Sequence, residues 1–98
     1  MVIVGGTFQV DPELREAFIE GRVASMRTSR AEAGCLEYVL GADPVDAGRV
    51  VLFERWASQE HLDAHISALR ARAADGADVQ PKAVTIRAYD VTGERPLM

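Results

Sequence analysis

Residues 2 to 10 alternate in character. Val2, Val4, Phe8 and Val10 fall on one side at period two, and Ile3, Gly5, Thr7 and Gln9 on the other. That pattern predicts a strand. Gly5 and Gly6 weaken it and call for a reason, such as a bulge or the close approach of another group. Asp11-Pro12 then opens a helix, with Asp as the N-cap, Pro at the first helical position and Glu13 in the first turn. Leu14, Phe18, Gly21, Ser25 and Thr28 form its stripe, flanked by Ala17 and Ala24. These residues are small and polar for a buried face, which fits tight packing or a cavity beneath. Gly34 follows Ala33 as a stop.

Alternation resumes at Cys35–Gly41, with Leu36, Tyr38 and Leu40 opposed to Cys35, Glu37 and Val39. Asp43-Pro44-Val45-Asp46-Ala47-Gly48 reads as a turn. The strand Arg49–Ala57 sets Val50, Leu52, Glu54 and Trp56 against Val51, Phe53 and Arg55. The short link between these two strands implies an antiparallel hairpin. Ser58 caps a second helix with the stripe Leu62, His65, Ile66, Leu69 and Ala73, and residues 74–78 break it. Lys82–Val91 is a fourth strand, and residues 92–98 form a tail.

The order is β-α-β-β-α-β: an α+β, ferredoxin-like fold with two helices on one face of a four-stranded antiparallel sheet. The face away from the helices should be polar if it meets water. Val51, Phe53 and Ile3 make it apolar. A second copy is the simplest cover, so a homodimer is expected.

Composition narrows the class. At 98 residues the chain is expected to be one domain spanning 1–98. Its 48% hydrophobic and 27% charged residues are those of a globular protein. The net charge of −4 and scattered Arg and Lys residues argue against a nucleic-acid partner. Cys35 is the only cysteine, so an intrachain disulfide and a Cys-based zinc site are excluded. No membrane span and no signal-like N-terminus is found, so a cytoplasmic protein is expected. There is no Gly-rich dinucleotide fingerprint and no metal-ligand cluster, which leads to the expectation of a site without cofactor or metal.

Gly34-Cys-Leu-Glu-Tyr38, Asp43-Pro44, Val51-Leu-Phe-Glu-Arg-Trp56 and the later His65 make a combined pattern. It resembles that of the antibiotic biosynthesis monooxygenase (ABM) domain family. The resemblance implies a dimeric α/β barrel, two sheets packed face to face, with a pocket in each subunit between sheet and helices. Activities in that family include cofactor-free oxygenation of phenols, anthrones or quinols, haem degradation, and isomerisation of small metabolites. The haem degraders have a Trp where this chain has His65, an axial His where it has Ala74, and an Asn where it has Gly6. Haem degradation is therefore disfavoured. Anthrone oxygenases have an Asn where this chain has Leu52.

His65 and Glu54 are the expected catalytic pair. A neutral imidazole on an apolar stripe can take a proton from a phenol or hydroxy-ketone; a core histidine satisfied by a neighbour is the plainer reading. Glu54, a carboxylate between Leu52 and Trp56, is costly unless paired, with Arg87, another Arg or His65 as the partners considered. Trp56, Tyr38, Leu52, His61 and Arg87 are the expected substrate-binding residues. Trp56 and Tyr38 would serve as aromatic walls and hydrogen-bond donors, or simply as core. The leading function is a cofactor-independent monooxygenase using a small aromatic substrate and molecular oxygen. The alternatives are a small-metabolite isomerase or cyclase, and a non-catalytic ligand-binding module.

Overall fold

The structure is a computed structural model that describes residues 1–72 and 79–98; Ala73 of the second stripe and the expected break at 74–78 lie outside the described residues. The elements are β1 (Val2–Gln9), a 3-10 turn (Pro12–Leu14), α1 (Arg15–Glu20), α2 (Val23–Arg30), β2 (Cys35–Ala42), β3 (Arg49–Trp56), α3 (Gln59–Arg72) and β4 (Ala83–Asp90). The four strands form one antiparallel sheet in the order β2-β3-β1-β4. This is the ferredoxin-like α+β arrangement. No helix among the described residues is long and apolar enough to cross a membrane.

The alternation in β3 sets the layers. Val50, Leu52, Glu54 and Trp56 are buried beneath the helices, while Val51 lies exposed on the outer face. Val2 and Val4 of β1 and Tyr38 and Leu40 of β2 join the covered face, and Phe18, Met26 and Leu62 close it from above. The Phe8 and Phe18 rings meet at 5.3 Å between centroids. β4 is exposed along its whole length, because the described helices leave that edge uncovered.

The first helix differs from the sequence pattern. It opens as a 3-10 turn, and Asp11 makes no side-chain cap bond. The Asp11 carboxylate instead pairs with Lys82 at the entry to β4. The helix then breaks at Gly21-Arg22 into α1 and α2. Arg22 lays its guanidinium 3.7 Å above the Phe18 ring and donates from Nη1 to the Phe18 carbonyl at 3.1 Å. Across the break the inward stripe runs Phe18, Met26, Ser29, in place of Gly21, Ser25 and Thr28.

β2 carries a second departure. A bulge between Cys35 and Glu37 inserts Leu36, which is 48% exposed instead of sharing the buried face with Tyr38 and Leu40. The turn that follows has the expected chemistry. Asp43 Oδ1 accepts from the Val45 N–H at 2.8 Å, and Arg15 Nη1 donates to the Asp43 and Asp46 carbonyls at 2.8 Å each. These bonds tie the hairpin to α1.

Gly6 has its explanation in β4. A Cβ there would fall on the Thr85 carbonyl oxygen and 2.8 Å from Ile86 Cα. Gly34 sits at φ +78° with the His61 ring packed where its side chain would be, so it suits only glycine. Gly6→Val is expected to destabilise the fold by about 1–3 kcal/mol, the range for overpacking, by prising β4 from β1. Urea denaturation measures this; an unchanged midpoint would show that β4 can shift freely.

Candidate active site

Glu54 and Trp56 are two residues apart on one strand, so both point into the covered layer. The Trp56 Nε1–H donates to Glu54 Oε1 at 2.8 Å, deep in the core. α3 brings His65 above them. Its start is fixed by Ser58, whose Oγ accepts from the His61 N–H at 3.2 Å. One turn beyond His61, His65 is 3% exposed and packs its ring on Trp56, with centroids 4.6 Å apart. The Tyr38 ring meets its edge at 5.4 Å.

Each ring nitrogen of His65 faces a carboxylate. Nδ1 lies 2.8 Å from Glu32 Oε1, a hydrogen bond, and Nε2 lies 3.8 Å from Glu54 Oε1. Glu32 belongs to the loop joining α2 to β2, and its side chain is 20% exposed. No sequence pattern points to Glu32, because nothing local marks a loop glutamate as the partner of a histidine on a distant helix.

Burial is the main influence on the titrating groups. It pushes the Glu54 carboxyl above the ordinary range; the Trp56 N–H and His65 pull the other way, and the Glu32 charge adds to the rise. The Tyr38 phenol is pushed up to about 12 by burial and then by the Glu54 charge. It stays protonated at neutral pH and is therefore a hydrogen-bond donor. The fully buried Ser29 hydroxyl has no partner in hydrogen-bond geometry among the described residues, though it is near enough to Tyr38 to favour the phenolate slightly. The Cys35 thiol is pushed up, first by burial and then by nearby carboxylates, which makes it less reactive.

A cavity of 270 Å³ lies between sheet and helices. Tyr38, Leu40, Leu52 and Glu54 form its sheet wall together with Phe8; Arg22, Ser25 and Met26 line it from α1–α2, Leu69 from α3, and Ile86 stands at β4. The volume is near the lower end of small-ligand sites, roughly 300–1,000 Å³. A larger depression of 450 Å³ runs along the edge strand β2 by Arg30 and Cys35. It is the more open of the two and does not reach the buried carboxylate. Among the described residues no group of three or more His, Cys, Asp or Glu side chains is arranged to hold a metal ion.

The expected site residues thus separate. Tyr38, Leu52 and Glu54 line the cavity. His65 and Trp56 stack on each other behind Glu54, with no space between them for a ligand. His61 packs on Gly34 and shares a 2.7 Å hydrogen bond between its Nδ1 and Ser58 Oγ. Arg87 does not pair with Glu54: it is exposed and lies opposite Gly5 on the outer face, because odd and even strand positions point to opposite sides.

The family model described as antibiotic biosynthesis monooxygenase matches residues 1–75. A candidate antibiotic biosynthesis monooxygenase from Deinococcus radiodurans superposes with a TM-score of 0.79, over 100% of this chain and 99% of that one, at 22% identity. The Pseudomonas aeruginosa protein PA3566 gives a TM-score of 0.77 at 27% identity, over 94% of both chains. The Mycobacterium tuberculosis protein Rv0793 gives 0.70 at 29% identity, over 97% of this chain and 98% of that one. An uncharacterized Synechocystis protein is 31% identical over 64 residues, which are 65% of this chain and 44% of that protein. The chain thus spans less than half the length of this curated relative.

The raised pKa of Glu54 has a thermodynamic sign. The folded protein holds this proton at a pH where the unfolded chain has released it, so burial of Glu54 costs stability as pH rises through the ordinary carboxylate range and beyond. Glu54→Gln keeps an acceptor for the Trp56 N–H and removes the charge. Its unfolding free energy is expected to gain on that of the wild type as pH rises through the ordinary carboxylate range and above it. Parallel urea titrations check this; a constant difference across that range would mean that Glu54 titrates normally.

Proposed function

The chain belongs to the antibiotic biosynthesis monooxygenase family, and on that footing we propose that it is a cofactor-independent monooxygenase acting on a small phenolic, quinol or polyketide-like aromatic substrate. The observation that carries this reading is a buried carboxylate, Glu54, at the wall of a mostly apolar cavity. The apolar lining suits an aromatic ring. A carboxylate with a raised pKa is a stronger base than one in water, suited to an acidic O–H or an activated C–H. The protonated Tyr38 hydroxyl supplies a donor for the resulting anion.

Deprotonation by Glu54 leaves an electron-rich anion that donates an electron to molecular oxygen; recombination of the pair forms the C–O bond. Return of the proton gives a hydroperoxide. For an activated ring methylene, loss of water then leaves a carbonyl: CH2 + O2 gives C=O + H2O. One oxygen atom enters the product, the other leaves as water, and the four electrons come from the carbon. His65, behind Glu54 at 3.8 Å, serves as the second acid–base group. The protein's part is a base, a donor and a mostly apolar cavity that orients the ring.

The partner in this reading is a second copy of the chain in the cytoplasm. On the outer sheet face Val39, Val51 and Tyr89, one each on β2, β3 and β4, are 39%, 41% and 51% exposed, apolar surface that face-to-face packing would cover.

Oxygen uptake with a panel of anthrone-like phenols and hydroquinones tests the activity. Wild type is expected to exceed the background rate, and Glu54→Gln to lose about 10²–10⁴-fold in kcat/KM. No uptake above background on any of them would end the oxygenase reading; product formed without oxygen consumption would favour an isomerase or cyclase in the same cavity. Light scattering at micromolar concentration is expected to give twice the 10.7 kDa chain mass, and Val39→Asp with Val51→Asp to give the chain mass itself. A monomeric wild type would remove the second copy.

A further inference from the structure

We propose that Glu32 is a positioning residue: it fixes His65 as the Nδ1–H tautomer and turns the Nε2 lone pair toward Glu54, so that the three side chains hold the substrate's proton together. The inference rests on the reading of Glu54 as the base of the cavity. Its geometric core stands apart from any substrate. An ionised carboxylate can only accept, so the 2.8 Å contact between Glu32 Oε1 and His65 Nδ1 requires the hydrogen to sit on Nδ1. A neutral imidazole has one N–H, and Nε2 is then the acceptor. The group it faces is Glu54 Oε1, 3.8 Å away.

The surroundings leave the ring little choice. Trp56 covers one face at 4.6 Å and Tyr38 meets the ring at 5.4 Å, with His65 itself 3% exposed. Glu32 enters from the loop, Tyr38 from β2, and Glu54 and Trp56 from β3. The loop is held at both ends: the Glu32 N–H donates to the Ser29 carbonyl at 3.1 Å, and the Cys35 N–H donates to the Glu32 carbonyl at 3.2 Å. The main chain from which Glu32 reaches His65 is therefore held in place.

The arrangement gives the proton a place to wait. Glu54 removes it from the substrate and passes it to His65 Nε2. The imidazolium so formed lies between two carboxylates, and its N–H groups donate toward both. Nothing is oxidised or reduced in this transfer. The proton returns through Glu54 when the reduced oxygen needs it, and the ring recovers its Nδ1–H form.

Nitrogen NMR of the histidine side chains, at a pH where the ring is neutral, reads the tautomer directly. Wild type is expected to show Nδ1–H at His65. Glu32→Gln, which can donate as well as accept, is expected to admit the Nε2–H form and to lower kcat about 10²-fold, the low end of acid–base contributions, with KM little changed. The pH profile of kcat should change with it, as loss of packing alone would not do. An Nε2–H wild-type ring overturns the proposal whether or not the variant folds. So does a Glu32→Gln protein that keeps pure Nδ1–H and wild-type kcat. If the tautomer behaves as expected but no oxygen is consumed, the monooxygenase reading fails and the positioning role of Glu32 stands.

Discussion

A carboxylate buried beneath the helices is the constraint around which the covered layer is organised. Glu54 is 5% exposed, and an ionised oxygen there must find donors or be neutralised. Its own strand supplies the Trp56 N–H, and α3 brings the His65 ring to the same oxygen. His65 then needs a partner on its far side, and the loop glutamate Glu32 meets it. Three elements are held in relation to one another by the requirements of one side chain. A hydrophobic residue at position 54 would ask for none of this, and such polar networks cost stability more often than they add it. Their presence in the core is an argument for chemistry, because structure alone has cheaper solutions.

The cavity has a separate origin. It lies below the junction of α1 and α2, where the chain breaks and shifts its inward stripe from Phe18 to Met26 and Ser29. Arg22 stabilises the break by covering Phe18 and bonding its carbonyl, and the same side chain lines the cavity. The small Ser25 leaves room in the wall. Local helix geometry thus makes the space, and β3 supplies the carboxylate that faces it. The two meet at Tyr38 and Glu54. Histidine, tryptophan and the loop carboxylate stay behind that wall and do not line the cavity.

Likeness to other proteins has two depths here. Structural matches at 22% identity carry the fold, a framework that supports different reactions. The family match over residues 1–75 covers the strands and helices bearing Tyr38, Glu54, Trp56 and His65, but it ends before β4. β4 is also the strand whose apolar residues Val84 and Ile86, at 50% and 45% exposure, are least covered by the described helices. β4 is nevertheless paired with β1 along its full length, from Val2 opposite Asp90 to Gln9 opposite Ala83.

The amino-acid sequence determined the strands, their order and the orientation of β3, because alternation on a pleated strand leaves one solution for Val50, Leu52, Glu54 and Trp56. It also placed His65 on the buried side of its helix, since position within a turn is a local property. Three things it did not determine. The helix break at Gly21-Arg22 depends on Arg22 finding Phe18 and the Val79 carbonyl, the latter in a distant segment. The bulge at Leu36 depends on how β2 registers against β3, a pairing that its own residues do not specify. The partners of Glu54 and His65 depend on which side chains converge in space. Arg87 fits by charge but points out of the opposite face, while Glu32, unremarkable in the chain, closes on His65 across 33 positions of sequence. Periodicity is written locally and can be read locally; electrostatic pairing is a property of distances that exist only after the chain has folded.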